Sequence, residues 1–318
     1  MSIDDDFMQE LYGLPVFDFP DAGTKAELPA PSSVAWRVSV EAYDSEVEWE
    51  QEFARFTETV DTTEVRALIV GAWSDVYDSG PDEVIKAIVA ARDRLPALRA
   101  LFVGDIDSMQ CEISWINQGL VTPLLDAFPA LLEFGVRGGQ HLEFPAVRHE
   151  RLRSLTMETG GLDAEIVRNV GASDLPSLEK LDLWLGTSWY GATTSVADLA
   201  SLLAGSRLPR LRHLALHNSD IQDEIAIALA GAPVVAGLET LDLSMGTLGD
   251  EGAEALLGGQ PLTHLKKLDL HHNFLSEAMR ERILATLGTA GVEIDLSETE
   301  DADIDDEGTE SRYTAVAE

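Results

Sequence analysis

The chain has few basic residues, a single cysteine and no long apolar run. It carries 22 Lys and Arg residues against 57 Asp and Glu residues, a formal net charge of −35, which repels phosphate backbones and argues against a nucleic-acid partner. Cys111 is the only cysteine, which excludes an intramolecular disulfide and a cysteine-rich zinc site. As a lone thiol it is expected to be a small buried hydrophobe.

Long apolar runs and familiar catalytic motifs are also missing. No run reaches the roughly 18 apolar residues of a membrane span, and the start MSIDDDFMQE lacks the segments of a secretion signal. We therefore expect a cytoplasmic protein with no membrane partner. The patterns GxSxG, GxxxxGK[ST], GxGxxG and HExxH do not occur. Their absence favours a protein that is not an enzyme, and we expect no cofactor.

What the chain does have is a repeat. The pattern LxxLxL occurs as LEKLDL, LRHLAL, LETLDL and LKKLDL, starting at residues 178, 211, 238 and 265. This pattern at such a period is typical of leucine-rich repeats. Weaker copies start at 65, 98, 131 and 152, with valine, phenylalanine or methionine replacing some leucines. With VAWRVSV at 34–40 and VEIDL at 292–296, we count about ten parallel strands, the last aligned with Val292 beside Leu268.

The segments between the strands change to helical spacing. In SEAMRERILATLG, for example, Ser276 is predicted to cap a helix that packs through Met279 and Ile283. Strands alternating with helices predict an α/β leucine-rich-repeat solenoid, with a parallel concave sheet and with helices and loops on the convex side. We divide the chain into an N-terminal capping segment (1–33), the solenoid (34–296) and a disordered acidic tail (297–318).

Two resemblances accompany these motifs. The repeats resemble those of the ribonuclease-inhibitor type, most closely where LGDEGAEALL follows its strand, and this resemblance implies a curved solenoid. The stretches YGLPVFDF, CEISWINQ, VRGG, LDLWLGTSWYG and LDLHHNFLSE together resemble an uncharacterised leucine-rich-repeat family of actinobacterial type. That second resemblance implies the same fold and no particular chemistry.

The repeat register predicts which side chains face the concave surface. If Leu268 and Leu270 point into the core, strand alternation turns Asp269 and His271 outward, while His272 falls at the bend after the strand. An exposed tryptophan on this face would be an interface anchor, whereas Trp189 and Tyr190 are expected to cover a loop. The residues predicted to form a contact surface are Asp182, Trp184, His217, Asp242, Asp269 and His271.

Two further groups are candidate sites. The second position of the repeats carries a basic row that would suit an anionic protein partner, namely Arg66, Arg99, Arg153, Arg212 and Lys266. A group near the last strands has the ligand types of a divalent-metal site, namely Asp269, His271, Glu293 and Asp295.

The favoured function is a non-enzymatic protein-binding or scaffold module that uses the concave face, with a protein partner whose identity the residues do not specify. One alternative is a metal-dependent enzyme or sensor built on the metal group. A lesser one, suggested by the net charge and by the resemblance in fold, is an inhibitor of a basic enzyme.

Overall fold

The computed structural model describes residues 7–304 and 310–317. Within them the chain divides into two compact units: unit 1, residues 7–145 and 149–158, and unit 2, residues 146–148 and 159–317. The predicted capping segment and tail also include residues 1–6, 305–309 and 318, which lie outside the described residues. No helix in the described ranges is long and apolar enough to cross a membrane.

Unit 1 is built around strands that follow chain order in their sheet. The first two strands are antiparallel and every later neighbouring pair is parallel. Leu68, Leu101, Phe134 and Leu155 lie side by side in this register, so the weaker repeat copies are confirmed. The strands are β1 (Glu10–Leu11), β2 (Leu14–Asp18), β3 (Ala35–Val38), β4 (Ala67–Val70), β5 (Ala100–Val103), β6 (Glu133–Arg137) and β7 (Ser154–Glu158); the helices are α1 (Trp49–Thr59), α2 (Asp82–Ala90) and α3 (Thr122–Ala127).

Unit 2 repeats the arrangement with the stronger copies of the pattern. Leu181, Leu214, Leu241 and Leu268 pair in register, and the Ser276 hydroxyl caps its helix as predicted, accepting from the Met279 N–H at 3.2 Å. The strands are β8 (Lys180–Gly186), β9 (His213–Ser219), β10 (Thr240–Asp242), β11 (Lys267–Asp269), β12 (Glu293–Asp295), β13 (Asp303–Ile304) and β14 (Glu310–Ser311); the helices are α4 (Ala164–Ala172), α5 (Ala200–Ala204), α6 (Gln222–Leu229), α7 (Asp250–Gly258) and α8 (Glu277–Thr286). Both units thus have the predicted α/β leucine-rich-repeat fold.

The alignment predicted for the last strand is wrong by two residues. Ile294, not Val292, pairs with Leu268, and Asp295 therefore lies beside Asp269. Val292 instead closes the turn after α8, where its N–H bonds to the Leu287 carbonyl at 3.2 Å. A two-residue slip keeps each side chain on its face, because the period of a strand is two, but it moves each one along the strand.

The described part of the segment 297–318, predicted to be a disordered acidic tail, contains regular contacts. Strands β13 and β14 form an antiparallel pair, and Thr314 and Val316 are buried in unit 2. In this segment the acidic residues come first and the apolar ones last, so its average composition gives no sign of the buried side chains.

The N-terminal segment also joins its unit more closely than a separate cap would. Strand β2 pairs in parallel with β3, and Leu11 belongs to a buried cluster with Ala67, Ile69 and Phe102. Described residues of the predicted capping segment therefore take part in the sheet and in its packing.

Candidate functional site

One face of the unit 2 sheet carries the outward side chains that alternate with the core leucines, and we call it the open face. Its first row runs through neighbouring strands as Asp182, Ala215, Asp242, Asp269 and Asp295. The second row begins with Trp184 beside His217 and continues with the residues two positions after Asp242 and Asp269, which are Ser244 and His271. The structure thus brings the six residues predicted for the contact surface to one face of one unit.

His217 is the centre of the first cluster on this face. Its Nε2 lies 2.9 Å from Asp182 Oδ1, and its Nδ1 lies 3.3 Å from Ser244 Oγ and 3.6 Å from Asp242 Oδ1. Lys180 Nζ is 3.0 Å from the other oxygen of Asp182. The cluster therefore alternates carboxylates with cations.

Both ring nitrogens of His217 have polar partners. The Ser244 hydroxyl donates to Asp242 Oδ1 at 2.6 Å, and the Asp182 carboxylate accepts from His217 Nε2. Carboxylates on both sides of the ring favour its protonated form. Burial alone would lower the pKa of His217, but the hydrogen bond to Asp182 and the carboxylate charges raise it. Burial alone would likewise raise the pKa of Asp182, but the bond from His217 holds it well below its usual range.

Ser244, His217 and Asp182 lie in the order of a catalytic triad, in which the histidine takes the proton of the serine hydroxyl as a base. Here the Ser244 hydroxyl donates to Asp242 instead, and Ser244 is fully buried. The hydrogen bonds therefore differ from those of a triad.

His271 forms a second, smaller cluster. Asp269 Oδ1 accepts from His271 Nδ1 at 2.8 Å and from the His271 backbone N–H at 3.2 Å, and Lys267 Nζ is 2.7 Å from Oδ2. The hydrogen bond to Asp269 is the main cause that raises the pKa of His271. Burial alone would raise the pKa of Asp269, but its bonds from His271 and Lys267 hold it well below its usual range.

The predicted metal group is brought together only in part. One ligand atom from each of Asp269, His271 and Asp295 lies within 4.8 Å of the others, whereas Glu293 pairs with Lys267 in register and is not part of this group. A cation here would compete with the Lys267 ammonium and with the proton on His271 Nδ1.

The tryptophans exchange the roles predicted for them. Trp184 faces the open side but is only 7% exposed, because its ring packs edge-on against His217 at 5.6 Å. Trp189, expected to cover a loop, is 92% exposed on the turn after β8. Of these two tryptophans, the exposed one therefore lies after the strand rather than on it.

The predicted basic row is divided between the units and is partly neutralised. In unit 1, Arg66 and Arg153 are exposed, while the Arg99 guanidinium donates to two backbone carbonyls. In unit 2, Arg212 does the same, and Lys266 pairs with the Glu239 carboxylate at 2.6 Å, lowering the pKa of that carboxyl through their hydrogen bond.

Cys111 is buried, as its residue type led us to expect. Burial raises the pKa of its thiol to about 11. A thiol with this pKa stays protonated at neutral pH and is a poor nucleophile.

The β3 to β5 part of the corresponding face of unit 1 is covered, which the repeat pattern did not predict. Ala35, Ala67, Ile69, Ala100 and Phe102 occupy its outward positions and are buried together with Leu11, while other residues of the N-terminal segment pack on them, namely Met8, Tyr12, Leu14 and Val16. The only sequence signal was the apolar character of these outward positions, which a solvated face would not need.

A buried charge cluster holds this segment in place. Asp105 is fully buried and accepts from Arg37 Nε at 2.7 Å and from the Met8 backbone N–H at 3.0 Å. Arg137 Nη1 lies 3.5 Å from the same carboxylate, and Arg37 also donates to the Met8 carbonyl at 2.6 Å. The segment is thus fixed by both of its backbone groups at residue 8.

Comparison with known proteins supports the fold without naming an activity. Neither protein-family models nor curated protein sequences match the chain. Among solved structures, a structural-genomics target protein from Bacteroides fragilis is 29% identical with a TM-score of 0.74, covering 80% of this chain and 71% of that one. An internalin from Listeria monocytogenes is 16% identical over 73% of this chain and 80% of that one; at a TM-score of 0.30 it carries no argument.

Proposed function

We propose that this protein is a non-enzymatic protein-binding module whose contact surface is the open face of unit 2. The observation that carries the proposal is the set of charged side chains already fixed on that face, with His217 held by Asp182 and His271 held by Asp269. Side chains that are ordered before binding lose little conformational entropy when a partner arrives. On unit 1, residues 8–16 cover the outward positions of β3 to β5.

The chemistry of the face indicates the kind of partner. Carboxylates alternate with Lys180, Lys267 and the two histidines, so complementary charges on a partner would set its orientation. The net charge of −35 would in addition speed the approach of a basic partner at low ionic strength. An inhibitor of a basic enzyme is one form that such a partnership would take.

Quantitative affinity capture with the full chain tests the proposal. The variant Asp242→Ala with His271→Ala changes two half-buried side chains of the face, and Glu281→Ala on the exposed side of α8 is the matched control. A partner that needs the face should bind the double variant about ten-fold or more weakly, which corresponds to about 1.4 kcal/mol, and should bind the control as it binds the unaltered chain.

The proposal would be abandoned if every captured protein bound the double variant and the control equally well. Measurement at two salt concentrations separates charge contacts, which weaken with salt, from apolar contacts, which do not.

A second candidate function is metal binding by Asp269, His271 and Asp295, favoured by their ligand atoms lying within 4.8 Å of one another. This site has three of the four residues predicted from the sequence for a metal-dependent enzyme or sensor, and Glu293 is the one that is left out. Elemental analysis of the purified chain should then show one metal ion per molecule, lost in His271→Ala. Purified protein with no stoichiometric metal, even after incubation with Zn²⁺ or Mn²⁺, would rule it out.

The resemblances to the ribonuclease-inhibitor type and to an actinobacterial family remain predictions. They are supported by the repeat motifs and by helices between several of the strands. Neither adds a partner to the proposal.

A further inference from the structure

The last described residues of the chain lie across the strand ends of unit 2 as a bound peptide would. Ala315 donates its backbone N–H to the Met245 carbonyl at 2.8 Å. Val316 is held at both of its backbone groups by the Asn218 amide, with its N–H 3.0 Å from Oδ1 and its carbonyl 2.7 Å from Nδ2. The Tyr313 carbonyl accepts from His272 Nε2 at 3.1 Å.

These contacts come from one position of the repeat. Asn218, Met245 and His272 are spaced 27 residues apart, and each has a positive φ, of 50°, 64° and 49°. Asn218 lies at the end of β9, while Met245 and His272 come after β10 and β11. A left-handed residue at this position turns the chain out of the strand. The repeat therefore presents one contact per strand for the backbone of residues 313–316, and His272 contacts this edge rather than the open face.

Arg312 occupies a separate acidic pocket at one end of the segment. Its Nη1 lies 2.9 Å from Asp223 Oδ2 and 3.0 Å from the Thr247 carbonyl. The other oxygen of Asp223 accepts the backbone N–H groups of Gly249 and Gly252 at 2.7 and 3.1 Å. Unit 2 thus orients this carboxylate by itself, leaving its second oxygen to a cation. The same cleft is lined by further acidic side chains, namely Asp220, Glu224, Glu251 and Glu310.

Apolar contacts also hold the segment 312–316 in place. Val316 is buried, and the Tyr313 ring packs edge-on against His272 at 5.6 Å and against Phe274 at 5.4 Å. Read from Arg312 to Val316, the groove accommodates a cation, an aromatic ring, two small residues and an aliphatic residue. Backbone bonds supply affinity in this kind of recognition, and the alternating side-chain pockets supply specificity.

We propose that the strand-end edge of unit 2 is a binding groove for an extended peptide with an arginine, an aromatic residue next to it and an aliphatic residue four positions after the arginine. The chain's own residues 312–316 occupy the groove until a partner's segment of the same pattern replaces them. The charge of the pocket matches an arginine, and the backbone contacts at Asn218, Met245 and His272 do not depend on which chain supplies the peptide. This groove is separate from the open face, and either proposal can fail without the other.

A labelled peptide of residues 310–317, ESRYTAVA, tests the groove in trans on the full chain. The variant Arg312→Glu with Val316→Asp removes the two anchors of the internal segment and leaves the groove intact. It should bind the peptide about ten-fold or more tightly than the unaltered chain, in which the tethered segment competes at a high effective concentration.

A third substitution checks that binding occurs at the groove. Adding Asn218→Gly to that variant keeps the left-handed backbone, which glycine tolerates, but removes the amide that holds Val316. Peptide binding should then weaken about ten-fold or more. A control peptide with the arginine changed to glutamate and the valine to aspartate should not bind.

Photo-crosslinking on the unaltered chain keeps the test decisive if the variants do not fold. A peptide with a photoreactive phenylalanine derivative in place of its half-exposed tyrosine should label unit 2 near His272 and Phe274, and unlabelled ESRYTAVA, but not a scrambled peptide, should compete. The proposal is overturned if the folded double variant binds no peptide, or if crosslinking to the unaltered chain is absent or indifferent to competitor.

Discussion

Removing the buried carboxylate of Asp105 is expected to destabilise unit 1 strongly. The carboxylate is fully buried and accepts from Arg37 Nε at 2.7 Å and from the Met8 N–H at 3.0 Å, with Arg137 Nη1 at 3.5 Å. In Asp105→Ala these donors lose a charged acceptor at a point that water does not reach. The N-terminal segment loses its attachment in the same step.

The size of the loss in free energy of unfolding depends on the carboxylate partners that Arg37 and Arg137 retain. Loss of one partner from a buried ion pair costs about 3–5 kcal/mol, because the remaining charge is left uncompensated. Arg37 retains Asp18 at 2.9 Å and Arg137 retains Glu158 at 2.8 Å, so we expect a value near the lower end, about 3 kcal/mol. Asp105→Asn keeps oxygen and size but loses the charge, and should cost roughly half as much, since hydrogen bonds to charged groups are about twice as strong as neutral ones.

Urea unfolding of the full chain, read by hydrogen exchange at the amides of β3 to β6, measures this effect for unit 1 alone. Asp126→Asn, on an exposed side chain of α3, is the matched control and should change the free energy of unfolding by less than about 0.5 kcal/mol. The amides of residues 8–16 should lose protection in Asp105→Ala in parallel. Equal midpoints for Asp105→Ala and Asp126→Asn would refute the reasoning.

Two further predictions concern unit 2. Its thermal stability should be highest between about pH 4 and 6.5, because the raised pKa of His217 gives stability that is lost as pH rises through it, and the lowered pKa of Asp182 gives stability that is lost as pH falls. A melting series in which His217→Gln keeps the decline on the alkaline side would contradict this. Trp184→Ala should cost about 3–5 kcal/mol, whereas Trp189→Ala, at a site 92% exposed, should cost less than about 0.5 kcal/mol. Chemical unfolding of the two variants in parallel checks the contrast, which equal losses would disprove.

The repeat spacing predicted the fold and the strands well. Leucines at the fourth repeat position pair across β8 to β11 as expected, because burial of one face makes any slip by one residue costly. For the last strand the predicted alignment was wrong by two residues, and Ile294 occupies the place predicted for Val292. A shift of two residues does not change which face is buried, so this rule does not exclude it. Both residues are β-branched and suit a strand, so residue type did not separate the half-buried Ile294 from the buried Val292.

The sequence predicted which face of the sheet the side chains of the candidate site lie on, but it did not predict which residues they contact. Alternation placed Trp184 and His217 on the same side, yet their edge-on contact at 5.6 Å buries both. Such burial depends on the lateral distance between strands and on ring orientation, which a periodic pattern does not contain. For the same reason the sequence left the direction of His272 open, and its left-handed backbone decided it.

The sequence by itself determined the repeat, the alternation of faces and the acidic surface, because these depend on residue spacing and composition. Only the tertiary structure decided which faces stay open. Residues 8–16 cover the outward side of β3 to β5 in unit 1, and residues 312–316 fill the strand-end edge of unit 2. Both segments lie far along the chain from the strands they contact, and contacts between distant residues depend on packing and on specific hydrogen bonds that no local period encodes.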